Sequence, residues 1–458
     1  MNPYDTFSLL DTQWQRFVSG LLIVVATLFH YDTPAAFAAA GALDASFDID
    51  GIRVITRPGN DRGQAVAIQP TDGKIVIAGY TSTFGSDDDV MVVRLDSDGS
   101  LDSTFNGGQP RVVIRFGNDR VLAAALQSDG KIVVAGYTDT FGTNDVLVMR
   151  FDNNGSLDTT FNVGNIGGIP SGGIQIVNRG GDERAKAIAI QSDGKIVVAG
   201  TSTAFGSTDA MIVRLNADGS LDPTFNNGGS QIINRTGEDQ ICAVVLQGDG
   251  KIVVAGYTNR LGSNDVLAAR LNVNGSLDTT FNTRIVGGRV TGGTQVINLT
   301  GDDRGQAAAL QSDGKIVIAG YTDRFVDRDI QVVRLNENGT LDLTFNPSIT
   351  PEGPTGGVAV VRQTGNDQGQ AVALQTDGKI VVGGFTDRFG LNDFLVMRFS
   401  DNGALDPTFD IDGIRVVGPS GENRANALAL QTDQKIVLVG NTDTFDSNDF
   451  EVMRFLGQ

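Results

Sequence analysis

The sequence predicts an all-β chain: a seven-bladed β-propeller with four antiparallel strands per blade, the last blade closed by the N-terminal strand. Three observations lead there. A segment of the form Gln127-Ser128-Asp129-Gly130-Lys131-Ile132-Val133-Val134-Ala135-Gly136-Tyr137-Thr138 returns seven times, starting at Gln69, Gln127, Gln191, Gln247, Gln311, Gln375 and Gln431. The spacing is about 56 to 64 residues, and self-similarity at such a period marks a repeat architecture. The composition, with 59 glycines and 7% aromatics, suits many short strands and turns rather than helices. The two ends of the chain carry complementary parts of one repeat, as set out below.

Taken in order, residues 1–38 read as a secretory signal peptide and residues 39–458 as the propeller. The leader has an almost unbroken apolar run at 17–29, Arg16 before it and Ala-Phe-Ala around Phe37, which places the expected cut near Ala38. That run is shorter than the ~20 residues of a spanning helix, so no membrane insertion is expected after cleavage. Repeats then begin near residues 43, 101, 157, 221, 277, 341 and 405.

The second repeat shows the parts. Residues 121–127 read as a first strand, 131–138 as a second, 145–151 as a third, and 156–161 with the segment beyond as a fourth. Asp129-Gly130, Phe141-Gly142-Thr143-Asn144 and Asn154-Gly155 mark the turns between them, because these residues tolerate the positive φ of tight hairpins. Ala123, Ala124 and Ala125 suit an innermost strand, where neighbouring blades crowd. Gly- and Pro-rich insertions at 164–173, 286–294 and 351–357 read as loops at the outer rim. The Leu-Asp-x-x-Phe signature, assigned to the fourth strand, occurs at Leu43, Leu101, Leu157, Leu221, Leu277, Leu341 and Leu405, whereas the chain finishes on a third strand at 450–455. Pairing of 43–55 with 450–455 would complete the seventh sheet and remove an open edge.

The combination Asp-Gly-Lys-Ile-Val-Val-Ala-Gly, then Phe-Gly-x-Asn-Asp, then Arg-Leu-Asn-x-Asp-Gly-Ser-Leu-Asp-x-Thr-Phe resembles the delta-sixty repeat, a bacterial β-propeller repeat, over residues 43–455. The resemblance implies a propeller in an exported bacterial protein and brings no activity with it.

Charge and composition exclude several classes. The formal net charge is −19, or −17 without the leader, which argues against nucleic acid and anionic membrane as partners. Cys242 is the only cysteine, so neither an intrachain disulfide nor a thiol zinc site can form; it sits in an apolar run and reads as a small core residue. The only histidine, His30, and the only tryptophan, Trp14, lie in the leader. The mature chain thus has no Ser/His/Asp or Cys/His set.

Candidate sites are acidic. In a four-strand meander, the turn leading into the first strand and the turn joining the second to the third share one face. That face would carry rings of carboxylates: Asp61, Asp119, Glu183, Asp239, Asp303 and Asp367 from the first turn, and Asp89, Asp145, Asp209, Asp265, Asp329, Asp393 and Asp449 from the second. Such rings are a candidate seat for Ca²⁺ or a cationic ligand. The alternative is that these acids bond turn amides or pair with Arg62, Arg120, Arg184, Arg304 and Arg424, fixing blade to blade. On the opposite face Asp96, Asp98 and Asp102 have the alternate spacing of a calcium loop, although other copies put Asn or Ser in these places. A third set, Arg94, Arg150, Arg214, Arg270, Arg334, Arg398 and Arg454, ends each third strand and reads as a structural partner.

The expectation is therefore an exported, secreted, periplasmic or surface-bound module, monomeric, that binds or scaffolds an unknown protein, glycan or cation with no cofactor required beyond Ca²⁺. The rival is a carboxylate-dependent polysaccharide hydrolase or lyase. It would need blades that depart from the consensus at the channel mouth, and the departures at 187–190 and 242–246 are apolar.

Overall fold

Each repeat holds two consecutive seven-residue runs rich in β-branched and apolar residues, and both are buried along their length, as for Ile196–Ser202 and Asp209–Leu215, with only Tyr80 and Tyr137 half-buried. A strand that is apolar on both faces must be covered on both faces. In the computed structural model the covers are the neighbouring blades. The structure describes residues 39–458 except 83–86, 167–168, 171, 287–288, 325, 348, 351–352, 355, 419–420 and 444–446; the expected leader lies outside the described residues.

Seven four-stranded antiparallel sheets follow one another around a central channel. Blade II, for example, consists of Asp119–Leu126 innermost, then Ile132–Thr138, Asp145–Phe151 and Ile174–Val177 at the rim. The hydrophobic core is divided into seven clusters, each shared by two blades; Val134 and Met149 of blade II meet Val76 and Val92 of blade I in one of them. The only helical turn among the described residues is the 3₁₀ turn Asn106–Gly108.

Two local features depart from the sequence reading. The Leu-Asp-x-x-Phe signature is no strand: Leu157 makes a single bridge to Phe151, and the rim strand begins only at Ile174. Its aspartate explains why, since Asp158 Oδ1 accepts from both the amide (3.0 Å) and the hydroxyl (2.6 Å) of Thr160, which folds the segment into a turn. The insertions are not plain loops either. Each forms a short hairpin, Asn165–Ile166 with Ile169–Pro170, Arg284–Val286 with Arg289–Thr291, and Ile349–Thr350 with Gly353–Pro354.

Every innermost strand carries a β-bulge at the same place, between Gly63 and Ala65 in blade I and between Val121 and Ala123 in blade II. The bulge pushes the backbone toward the second strand, which answers with glycine: a Cβ on Gly136 would collide with the Arg120 carbonyl oxygen. This leaves one extra side chain per blade beside the channel.

The ring is closed by the head of the chain. Ile52–Ile55 pairs with Asp449–Phe455 in register Ile52↔Met453 to Ile55↔Phe450, and Leu43 bridges Phe455. The closure reaches further than strand pairing. In other blades the phenylalanine of the signature sits under the glycine of the next blade's turn, as Phe105 under Gly155. For Phe409 that glycine is Gly41, whose amide donates to the Leu456 carbonyl at 2.8 Å. Head and tail together rebuild the turn where the chain is interrupted.

Candidate binding face and channel

The thirteen candidate acids of the turn face do form rings, but inside the junctions between blades, each no more than 8% exposed. Within a blade the leading acid lies opposite a buried hydroxyl, Asp119 opposite Thr138 and Glu183 opposite Ser202. Across a junction it meets the acid of the preceding blade: Asp61 with Asp449, Asp119 with Asp89, Asp145 with Glu183, Asp209 with Asp239, Asp303 with Asp265, Asp367 with Asp329. At the seventh junction Asn423 replaces the leading acid and leaves Asp393 facing Glu422.

Burial, aided by the neighbouring carboxylate, pushes Asp303 and Asp367 up to about 6, and it pushes Asp119 to about 6 even against the pull of Arg115. Arg115 and Arg235 enter their junctions from the rim side, Arg235 gripping Asp239 at 2.9 and 3.2 Å. Among these acids Asp119 and Asp239 are held by the two arginines, Glu183 accepts the Ser202 hydroxyl at 3.0 Å, and Asp89 accepts the Arg115 amide at 3.1 Å.

On the opposite face, Asp96, Asp98 and Asp102 each have a protein partner. Asp102 is gripped by Arg94 (2.6 Å) and Lys74 (3.0 Å), Asp96 by Lys74 (2.5 Å), and Asp98 Oδ1 accepts from the amide and hydroxyl of Ser100. Although burial opposes it, hydrogen bonds from Thr104, Lys74 and Arg94 hold the Asp102 carboxyl well below the usual range. The same assembly recurs around the ring: Arg150 with Asp158 (2.7 Å), Arg214 with Asp222 (2.8 Å), and Arg454 with Asp44 (2.8 Å). Each arginine also stacks on the signature phenylalanine, Arg150 at 4.6 Å over Phe161, and six of the seven reach a backbone carbonyl across the junction, Arg214 to Val273 at 2.5 Å. The repeated arginines are thus structural partners.

Two features of the turn face were not found by reading the sequence. The turn between second and third strands exposes a large apolar side chain: Phe141, Phe205, Leu261 and Phe389, with Phe205 at 65%. The same repeat position holds Phe84, Phe325 and Phe445, outside the described residues. The signal was a phenylalanine recurring within a Gly turn, where packing does not call for one. Nearer the axis, the second residue of the innermost strand is in four blades an arginine stacked on the aromatic ring of the preceding blade: Arg120 over Tyr80 (5.2 Å), Arg184 over Tyr137 (5.1 Å), Arg304 over Tyr257 (4.9 Å) and Arg424 over Phe385 (5.4 Å). Of these, Arg120 also pairs with Asp88 at 2.5 Å.

Below this collar lies the throat of the channel, a cavity of about 210 Å³ lined by the seven bulge residues and the alanines and valines beneath them. The bulge residues differ from blade to blade: Gln64, Leu122, Lys186, Cys242, Gln306, Gln370 and Asn426. Cys242 is therefore not a core residue; the bulge turns it to the channel, half-buried, 4.0 Å from Lys186 Nζ. Periodicity alone could not show this, because a bulge shifts the alternation by one residue.

The repeats match a family model described as a domain of unknown function (DUF5122) beta-propeller, in six copies at 71–105, 127–161, 191–225, 247–281, 311–345 and 375–409. The six matched segments are thus similar to β-propeller repeats of a family of unknown function. No curated protein matches the chain. Among solved structures, the polysaccharide lyase Uly1 is similar at 12% identity over 86% of this chain and 90% of that one, with a TM-score of 0.49. YCF48 bound to D1 peptide is similar at 12% over 93% and 100% (TM-score 0.45), and Sqt1 from Chaetomium thermophilum at 14% over 83% and 80% (TM-score 0.43). Likenesses this distant say nothing of what these repeats bind.

Proposed function

We propose that the chain is an exported acidic propeller that serves as a binding or scaffolding module, with a protein partner seated on the turn face around the channel mouth. One observation carries this reading: the acids that the blades share at their junctions are buried inside the ring, whereas the bulge residues, which differ from blade to blade, line the throat. Repeated ion pairs can hold a frame but cannot distinguish ligands; unlike side chains around one axis can. The exposed phenylalanines supply apolar anchors of the kind interfaces favour, and the arginine stacks beside them offer preordered cationic surface. A hydrolase or lyase needs two carboxylates flanking an accessible cleft, and the paired acids here are enclosed between blades.

The test compares the mature chain with an Arg184→Ala, Phe205→Ser, Phe389→Ser variant, both immobilised and exposed to an envelope extract of the producing organism. Quantitative mass spectrometry should find a discrete partner depleted about tenfold or more on the variant. Equal recovery of every protein by both would remove the reading. N-terminal sequencing of the exported chain should start near Ala39.

A further inference from the structure

We propose that the channel throat is a carboxylate-binding site centred on Lys186. It deepens the binding reading above and rests on it for one source of the ligand, an acidic side chain or chain end of the partner; the other source is a small free acid.

The seven bulge positions contain no acid, in a chain of net charge −19, and Lys186 is the only one that is charged. Gln64, Gln306 and Gln370 place amide donors around the same axis, while the Asn426 amide donates to the Gly63 carbonyl at 2.8 Å. Among the described residues the Lys186 ammonium has no carboxylate partner. Its Nζ donates to Gln240 Oε1 at 2.9 Å and otherwise meets only Cys242 Sγ at 4.0 Å. Gln240 is itself fixed, because the same Oε1 accepts the Tyr257 hydroxyl at 2.8 Å, and Arg304 lies 4.9 Å over the Tyr257 ring. The ammonium is thus held in place, with a second cation close by.

An amide oxygen and a thiol do not neutralise an ammonium. A cation there without a counter-charge is stabilised by whatever anion can reach it. The apolar layer beneath, which includes Val66, Ile188 and Val244, lowers the local dielectric and strengthens that attraction. The size of the cavity limits the anion. About 210 Å³ is below the roughly 300 to 1,000 Å³ of pockets that enclose drug-sized ligands. A carboxylate on a short stem fits, and the glutamines can donate to its remaining lone pairs.

The test uses the purified chain, with Cys242, its sole cysteine, as a reporter beside Lys186. Alkylation is followed at fixed ionic strength with two reagents of similar size, anionic iodoacetate and neutral iodoacetamide. Lys186→Gln puts into blade III the residue that blades I, V and VI already carry, so the fold tolerates it; Lys186→Arg keeps the charge. The iodoacetate-to-iodoacetamide rate ratio should fall about tenfold in Lys186→Gln and stay within about twofold in Lys186→Arg. Acetate, or a short peptide with a glutamate tip and blocked ends, should protect Cys242 in the parent chain and not in Lys186→Gln; which of the two protects at lower concentration identifies the source. An unchanged ratio in Lys186→Gln, a thiol that neither reagent reaches in the folded protein, or no protection by either anion would overturn the proposal. Protection by acetate together with equal partner capture in the previous experiment would leave the throat site standing and remove the protein-binding reading.

Discussion

Glu451 is a charge-bearing residue at a place built for hydrocarbon. It is fully buried in the third strand of the closing blade, and neither carboxylate oxygen has a hydrogen-bond partner among the described residues. The equivalent positions hold Met91, Leu147, Met211, Leu267, Gln331 and Leu395. Burial pushes its pKa up from 4.5 to about 8. The sign of the pH dependence follows. Below about 4.5 both folded and unfolded chains are protonated and nothing is lost; between 4.5 and 8 only the unfolded chain ionises, so stability falls with rising pH until the folded group ionises as well. Asp119, Asp303 and Asp367, raised to about 6, add to the same trend between their ordinary range and 6. The melting temperature should therefore decline from pH 5 to pH 8. Glu451→Leu should raise stability at pH 8 by about 3 kcal/mol and flatten, without abolishing, the decline, as read by urea melts across that range. A variant that melts like the parent at pH 8 would show that the carboxyl finds a partner.

At the scale of the element, the signature turn is the unit that makes each blade hold the next. Asp222 is buried, accepts from Arg214 at 2.8 Å and from Thr224 at 2.6 and 3.0 Å, while Arg214 continues to the Val273 carbonyl of the following blade. Removing the carboxylate leaves a buried guanidinium without its counter-charge. Asp222→Ala should cost about 3 kcal/mol in urea unfolding. Asp193→Ala, which removes an exposed partner of Lys195, should cost at most about 1 kcal/mol. Similar costs for the two would mean that the assembly is not what couples blades. The sequence made the repeat of this signature plain and its conformation less so. The third strand, Asp145–Phe151, is as expected from its apolar run, because burial on both faces leaves one consistent reading. Leu-Asp-x-x-Phe is apolar at both ends and passed for a strand, although Asp two residues before Thr is also what a side-chain-capped turn requires. For a similar reason the sequence leaves the acids with two readings, an accessible ring or ties between blades. A one-dimensional pattern places them on turns, but the junction that buries them exists only once neighbouring blades meet. The bulge is quieter still, marked in the sequence only by glycine in the opposing strand.

For the whole molecule, closure is what turns seven similar hairpin stacks into one structure. Every core cluster is shared by two blades, so an unclosed array would split the cluster between the last blade and the first, leaving a bare face at each end and a bare strand edge at residues 449–455. The head segment supplies Phe47 to the cluster between the last blade and the first, Ala40 to the cluster between the sixth and the last, and Asp44 as the carboxylate for Arg454 and Lys435. This much of the architecture was legible in the sequence, because the two chain ends carry matching halves of one repeat. The throat was not, since its ring of unlike side chains is assembled by all seven blades at once. Deleting residues 39–55 should therefore do more than remove one strand. It strips a buried arginine of its partner, opens two core clusters and exposes the edge of the third strand to other chains. The truncated protein is expected to aggregate or to melt well below the parent, by 10 °C or more as an order of magnitude for the loss of several kcal/mol. Adding the missing segment as a free peptide should restore part of that loss by occupying the same edge. A truncated chain that stays soluble and melts with the parent would mean that the ring does not depend on its clasp, and the register Ile52↔Met453 to Ile55↔Phe450 would then be ornamental.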